Sequence, residues 1–309
     1  MTDTNKIIIG SRGSMLALCQ AQIIADSLRD YHPGLMVEIL KIKTKGDKIL
    51  DVPLARVGGK GLFVKELEDA LLDERIDLAV HSLKDVPTEL PPGLIIGAIT
   101  RRESPYDVLI SEKGILLEDL PPDASLGTSS LRRQAQLLKY SPHFKLVDLR
   151  GNLDTRIKKI TQLGLDGIIV AAAGVCRLGW EAQITQYLPI DICVPAVGQG
   201  ALGIEIKDDD RRMKELITPL HHPPTNAAVV AERALLHRLE GGCQVPLGAY
   251  AQVDADSLRI QGVVASPDGK QIIKDNINGH SDEAYELGIR LAERLLHNGG
   301  REILEAILS

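Results

Sequence analysis

Aromatic side chains are scarce in this chain. Two phenylalanines, six tyrosines and one tryptophan make up 3% of its 309 residues, too few for the stacking platforms on which proteins hold single-stranded nucleic acid. Excess positive charge is also lacking. The formal net charge is -6, which argues against a generally basic, nucleic-acid-binding surface and leaves room for a local basic pocket. No apolar run approaches the roughly 20 residues that a membrane-spanning helix needs, so no membrane association is expected. The opening MTDTNK has neither an apolar core nor a small-residue cleavage site, so no secretory signal is expected. Cysteine is limited to Cys19, Cys176, Cys193 and Cys243. None forms a C-x-x-C pair and no zinc-site spacing occurs, so no metal is expected. Free thiols in a reducing cytoplasm are the simplest reading.

What is present suffices for a packed core. Hydrophobic residues make up 44% and charged residues 25%, and this length favours two or three domains. Short apolar runs alternate with helical patterns over the first two hundred residues. Lys6–Ile9 reads as a strand, followed by a helix with Leu16, Cys19, Ile23 and Leu28 at helical spacing. Leu35–Ile42 is strand-like, Leu62–Leu72 is an amphipathic helix, Asp77–Val80 is a short strand and Leu94–Ile99 another. Such alternation predicts α/β layers with helices covering a sheet.

The polar stretch Thr100–Tyr106 reads as a crossover into a second domain, where the pattern restarts. Strands are expected at Asp107–Ile110, Lys145–Asp148 and Gly167–Val170, helices over Leu131–Tyr140 and Asn152–Leu163, and a loop at Gly127–Ser130. Gly-rich Val197–Gly203 reads as a crossover back, which makes the first domain discontinuous. His221–Thr225, with two adjacent prolines, is the expected linker to a small α+β domain. That domain has a helix over Asn226–Leu239, strands at Val245–Val253, Leu258–Ala265 and Gln271–Ile277, a Ser-Pro-Asp-Gly turn at Ser266–Gly269, and a helix over Asp282–His297. The expected division is 1–100 with 198–220, then 101–197, then 221–309.

Segment 127–160 is electrically unusual. Arg132, Arg133, Lys139, Lys145, Arg150, Arg156, Lys158 and Lys159 face only Asp148 and Asp154 in an otherwise acidic protein. Arg132 and Arg133 follow Gly-Thr-Ser-Ser at a helix start, where backbone N–H groups favour anions, and guanidinium forks suit carboxylates. Arg132, Arg133, Arg150 and Arg156 are therefore read as an anion site, and Lys139, Lys158 and Lys159 as a solvated face. The run His81-Ser82-Leu83-Lys84-Asp85-Val86-Pro87 follows a strand, at the sheet edge where open α/β sheets place ligands. Asp85 there could hold a developing cation, but on spacing alone the reading that wins is a turn aspartate paired with Lys84, or a helix cap. His81 is likewise read as a structural histidine rather than a base. Gly58-Gly59-Lys60-Gly61, with Asp47-Lys48 nearby, is a glycine loop without phosphate-loop spacing. Cys19, Cys176 and Cys193 sit in apolar surroundings, whereas Cys243 lies in a Gly-Gly-Cys-Gln loop that can present its sulfur.

Taken together, Asp51–Phe63 (DVPLARVGGKGLF), His81–Pro87 (HSLKDVP), Gly127–Arg133 (GTSSLRR), Leu149–Asn152 (LRGN), Pro195–Ala201 (PAVGQGA) and Arg238–Pro246 (RLEGGCQVP) resemble the porphobilinogen deaminase family, over nearly the whole chain. The resemblance implies two periplasmic-binding-protein-like α/β domains around a cleft and a small C-terminal α+β domain. It implies a transferase of haem biosynthesis that condenses four porphobilinogen molecules into hydroxymethylbilane and releases ammonia. A dipyrromethane cofactor would sit on Cys243 through a thioether, with Lys84, Asp85, Ser130, Arg132, Arg133 and Arg150 around it. Asp85 would be the catalytic carboxylate. Arg12, Ser14, Arg150, Arg156, Arg177 and Gln199 would bind substrate. A cytoplasmic monomer is expected.

Two departures from the family pattern stand out. Ser11 and Met15 replace the usual Thr and Pro of the first loop, and Arg56 stands where Lys is common. A proline at the first helical turn helps start a helix, so its absence is expected to loosen the loop holding Arg12 and Ser14. Two competing readings remain: a two-domain protein that binds an anionic solute without turnover, and a cysteine hydrolase with His81 as base.

Overall fold

The computed structural model describes residues 5–44, 64–239 and 245–308. They form two compact units. The first takes residues 5–44, 64–103 and 201–226, and the second takes 104–200, 227–239 and 245–308.

The first unit is built on a five-stranded sheet. β1 (Lys6–Arg12) runs parallel to β2 (Met36–Ile42) and β3 (Leu78–Ser82). Between β3 and the edge strand β4 (Leu94–Ile99) lies β10 (Leu202–Lys207), antiparallel to both. The order is β2-β1-β3-β10-β4. Helices cover both faces, as a largely parallel sheet requires. Helix α1 (Met15–Tyr31) presents Ala21, Ile24, Ala25 and Leu28 at helical spacing, and this stripe packs on Ile7, Ile9, Leu78 and Val80. Helix α2 (Lys65–Leu72) packs Leu67, Ala70 and Leu71 with Ile42, Ile76 and Ala79. The unit also holds α6 (Arg211–Ile217), whose Asp210 cap accepts from Met213 N at 2.9 Å.

The second unit holds two sheets. Its five-stranded sheet repeats the first plan: β7 (Lys145–Val147), β6 (Ser125–Gly127) and β8 (Gly167–Ala171) are parallel, and β5 (Asp107–Ile110) lies antiparallel between β8 and β9 (Gln186–Tyr187). Helices α3 (Leu131–Tyr140), α4 (Leu153–Leu163) and α5 (Ala172–Arg177) follow β6, β7 and β8. The smaller sheet is an antiparallel meander of β11 (Leu247–Asp254), β12 (Ser257–Ala265) and β13 (Ile272–His280). Against it pack α7 (Pro223–Arg238), which begins in the first unit, and α8 (Ala284–Leu295), with Leu235, Ala249, Ile260, Leu287 and Leu291 in the core. The α/β class expected from the sequence is what the chain folds into.

The local differences have physical causes. β6 was not expected, because three residues are too few for a periodic signal; the expected loop at Gly127–Ser130 shares only Gly127 with it. β10 was hidden by the glycine-rich segment before it. The two prolines of His221–Thr225 do not make a linker. They open α7, where the first-turn N–H groups that proline lacks have no helical partner to lose. Thr225 Oγ1 accepts from the Arg102 amide at 3.2 Å, tying this start to the strand-exit segment. The C-terminal helix keeps helical backbone to about the expected end. A kink at Gly299 (φ +109°) separates it from α9 (Arg301–Leu308).

Candidate active site

β3 runs into a short 3-10 turn, Leu83–Asp85. Leu83 is fully buried and fills a notch on β10: a Cβ at Gly203 would stand 2.7 Å from Leu83 Cδ1. Only glycine leaves this space, so the notch seats the turn against the sheet. The Leu83 amide donates to Ala201 O at 3.0 Å, and Gln20 Nε2 donates to Ser82 Oγ at 2.8 Å. On this anchored turn Lys84 is partly buried and Asp85 is exposed. No hydrogen bond or ion pair from another described residue engages Asp85. It is neither paired with Lys84 nor a helix cap.

His81, just before the turn, is 5% exposed, with Nε2 2.9 Å from Glu205 Oε2. This is a structurally partnered histidine. Glu68 of α2 faces the same pair. Burial first, and the charge of Glu205 next, push its carboxyl from 4.5 up to about 7, against the pull of His81.

At the same end of the first sheet, Arg12 closes β1, which runs parallel to β3, and Ser14 caps α1, accepting from the Ala17 amide at 3.2 Å. The cap starts the helix at Met15 without the family's proline, and Met15 itself is exposed.

In the second unit the arginines converge on one carboxylate. Asp107, at the head of β5, is completely buried. Its Oδ2 accepts from Arg132 Nη1 at 2.7 Å, and its Oδ1 accepts from Arg133 Nη2 at 2.7 Å and Nε at 3.0 Å. Gln199 Nε2 donates to the same Oδ1 at 3.0 Å and to Pro105 O at 2.7 Å. Gln199 is 1% exposed, so its place is within this cluster. Burial alone would raise the Asp107 carboxyl, but the two guanidiniums outweigh it and hold it far below the usual carboxylate range. Cys193 joins with Sγ 3.3 Å from Oδ2, and burial and the Asp107 charge push its thiol up to about 12. It is a core thiol.

Two guanidiniums on one carboxylate leave a net positive charge. Arg133 engages through Nε, Nη1 and Nη2, the second donating to Ile169 O at 3.0 Å. Arg132 engages only through Nη1, which also reaches Val194 O at 2.6 Å. Its Nε and Nη2 donate to no described group. Ser130, the residue before α3, makes no side-chain cap.

The loop between β7 and α4 carries Arg150. Its Nε is buried without a hydrogen-bond partner among the described residues, and the nearest carboxylate, Asp148 Oδ2, stands 4.0 Å away. The loop around it is braced. Ser129 Oγ donates to Leu149 O at 2.6 Å, Arg156 Nε to Gly151 O at 2.8 Å, and Lys159 Nζ to Arg150 O at 3.0 Å. Gly151 has φ +112°, which favours glycine. Lys159, expected on a solvated face, is thus a loop brace; Lys158 and Lys139 are exposed as expected. Arg177 Nη2 donates to Gly200 O at 2.6 Å. Cys243, Arg56, Asp47, Lys48 and the glycine loop at 58–61 lie outside the described residues.

Two family profiles match this chain. "Porphobilinogen deaminase, dipyromethane cofactor binding domain" covers residues 7–215, and "Porphobilinogen deaminase, C-terminal domain" covers 226–297. The chain belongs to the porphobilinogen deaminase family. Porphobilinogen deaminase of Geobacter sulfurreducens is 54% identical over 98% of this chain and 95% of its own length. That of Geobacter metallireducens is 55% identical over 97% and 94%, and that of Carboxydothermus hydrogenoformans 54% identical over 98% and 97%. As a member of this family, the chain is a transferase of haem biosynthesis. It condenses four porphobilinogen molecules head to tail into hydroxymethylbilane, with release of ammonia, on a dipyrromethane primer. Among solved structures, the methionine-binding protein MetQ is similar over 70% of this chain and 89% of its own, at 12% identity and TM-score 0.45. The sulphonate-binding protein SsuA from Escherichia coli is similar over 76% and 71%, at 12% identity and TM-score 0.39. The solute-binding alternative has nothing beyond this likeness. Among the described residues no helix is long and apolar enough to cross a membrane.

Proposed function

We propose that Asp85 is the catalytic carboxylate of the condensation. The observation that carries this reading is a carboxylate with no partner among the described residues, on a turn that is otherwise fixed by Leu83, Ser82 and Ala201. Loss of the aminomethyl group of porphobilinogen as ammonia leaves an electron-poor azafulvene-like ring, and positive charge develops on pyrrole nitrogen as the new carbon–carbon bond forms. A preorganised anion stabilises that charge without reorganising. When bound, dipyrromethane supplies the free pyrrole α-carbon to which the first ring is joined.

The residues present fit such a group. Pyrroles bearing acetate and propionate need cationic donors. Arg150, with its orphaned buried Nε, and Arg132, with an unengaged Nε and Nη2, supply them. Lys84, Asp85, Ser130, Arg132, Arg133 and Arg150 would hold the cofactor, and Cys243 would carry it through a thioether. Arg12, Ser14, Arg150, Arg156, Arg177 and Gln199 would hold substrate. Arg133 and Gln199 would act mainly by fixing Asp107, and Arg156 partly by bracing the Arg150 loop. The second unit would comprise two domains, one for each of its sheets, and the protein would work as a cytoplasmic monomer.

The test is Asp85→Asn, which keeps size and removes charge. In cofactor-loaded protein its single-turnover rate should fall on the order of a hundredfold or more, with substrate binding and thermal midpoint little changed. A stable, loaded variant turning over at the wild-type rate removes Asp85 from the chemistry.

A further inference from the structure

We infer that Glu205 is a positioning residue for the reaction: it fixes the His81 ring at the end of β3 and so holds the turn that presents Asp85. The inference rests on the reading of Asp85 just given.

The layer between the first sheet and α2 is apolar, built from Ile42, Leu67, Leu71, Ile76 and Ala79. It nevertheless takes in His81, Glu205 and Glu68, which are 5%, 1% and 7% exposed. Burying ionisable groups is unfavourable unless hydrogen bonds and opposite charges compensate. Compensation here is incomplete, because Glu205 Oε1 is buried with no hydrogen-bond partner among the described residues. Well-packed apolar side chains in such places commonly stabilise a fold as well or better. Stability alone therefore does not account for the arrangement, and buried ionisable groups of this kind gather at functional sites.

The strand register says what the pair does. Gly203 lies opposite His81, and Glu205 lies opposite Ala79. Gly203 and Glu205, two apart on β10, share one face. The first makes room for Leu83 and the second reaches His81 at 2.9 Å. One strand thus grips the segment entering the turn at two successive side chains of that face. Asp85 lies two residues beyond Leu83 and four beyond His81. Glu68 faces the pair from α2, with the charges of Asp69 and Lys65 of the same helix acting on its carboxyl in opposite directions.

Glu205→Gln keeps the shape of the side chain and removes its charge. In cofactor-loaded protein, single-turnover ammonia release should fall on the order of tenfold to a hundredfold, while KM moves by less than about threefold. Hydrogen exchange should accelerate at the Val86 amide, which closes the turn by donating to Leu83 O at 3.2 Å. Placed in the Asp85→Asn background, the same substitution should lower the residual rate no further, since a group acting through Asp85 has nothing left to position. A double variant slowed by the full single-variant factor overturns the inference, and so does an unchanged rate in Glu205→Gln. If Glu205→Gln does not fold, His81→Gln must reproduce both the loss and its disappearance in the Asp85→Asn background; a wild-type rate there also overturns it. Failure of the underlying reading is separate, because Asp85→Asn alone would then turn over normally.

Discussion

Arg132 donates Nη1 to Asp107 Oδ2 at 2.7 Å, with the guanidinium 5% exposed and the carboxylate not at all. Together with Arg133 on the other oxygen, this makes the basic start of α3 depend on an internal anion. Removing one partner of such a buried set leaves uncompensated charge. Asp107→Asn should therefore destabilise the protein by about 3–5 kcal/mol, read from urea unfolding. The pH dependence has a definite sign. The folded-state carboxyl is held well below its ordinary 3.8, so its stabilisation is complete above that value and is lost as the pH falls below it. Wild type should show this acid loss, and Asp107→Asn should lack it.

Glu68 has the opposite sign. Its carboxyl is raised from 4.5 to about 7, so the folded state holds a proton that the unfolded chain releases. The associated stability is complete below pH 4.5 and is lost as pH rises through about 7. The thermal midpoint of Glu68→Gln should decline less than that of wild type between these limits. Identical slopes would remove Glu68 as their source.

Arg150 and Lys158 belong to the same basic segment but differ in setting. Arg150 has a buried unpartnered donor, and Lys158 is exposed. Arg150→Leu should impair cofactor loading or weaken substrate affinity by about tenfold or more, the scale of one charge-assisted hydrogen bond. Lys158→Leu should change either by less than about twofold. Loading measured by intact mass and KM measured on the loaded fraction decide this. Equal effects would mean that general charge, and not a site, accounts for the segment.

The sheet plan was legible because buried strands and amphipathic helices leave periodic signals, as in Lys6–Arg12 and Met15–Tyr31. The reuse of arginine around Asp107 was not. Asp107 heads an apolar run, and nothing local tells a buried aspartate from one at a strand's solvated end. Glu205 was hidden likewise: in Leu202–Lys207 a lone carboxylate among apolar residues reads as an edge position. Lys159 was misread because charge pattern on a helix gives the face a side chain leaves from, not the loop carbonyl it reaches. Asp85 and Lys84 were found through a motif. What the structure added is the exposure of that carboxylate and its lack of a hydrogen-bond or ion-pair partner among the described residues.

The central claim is condensation on a dipyrrole carried by Cys243, and intact mass tests it most directly. Wild-type protein should exceed its sequence mass by one dipyrromethane and, on brief exposure to porphobilinogen, show further species spaced by one pyrrole ring each. Cys243→Ser should show neither, because a serine hydroxyl is a far weaker nucleophile than a thiolate. Cys19→Ser should show both. Wild-type protein at its bare sequence mass, or a Cys243→Ser variant that still carries the dipyrrole and its ladder, would contradict the account.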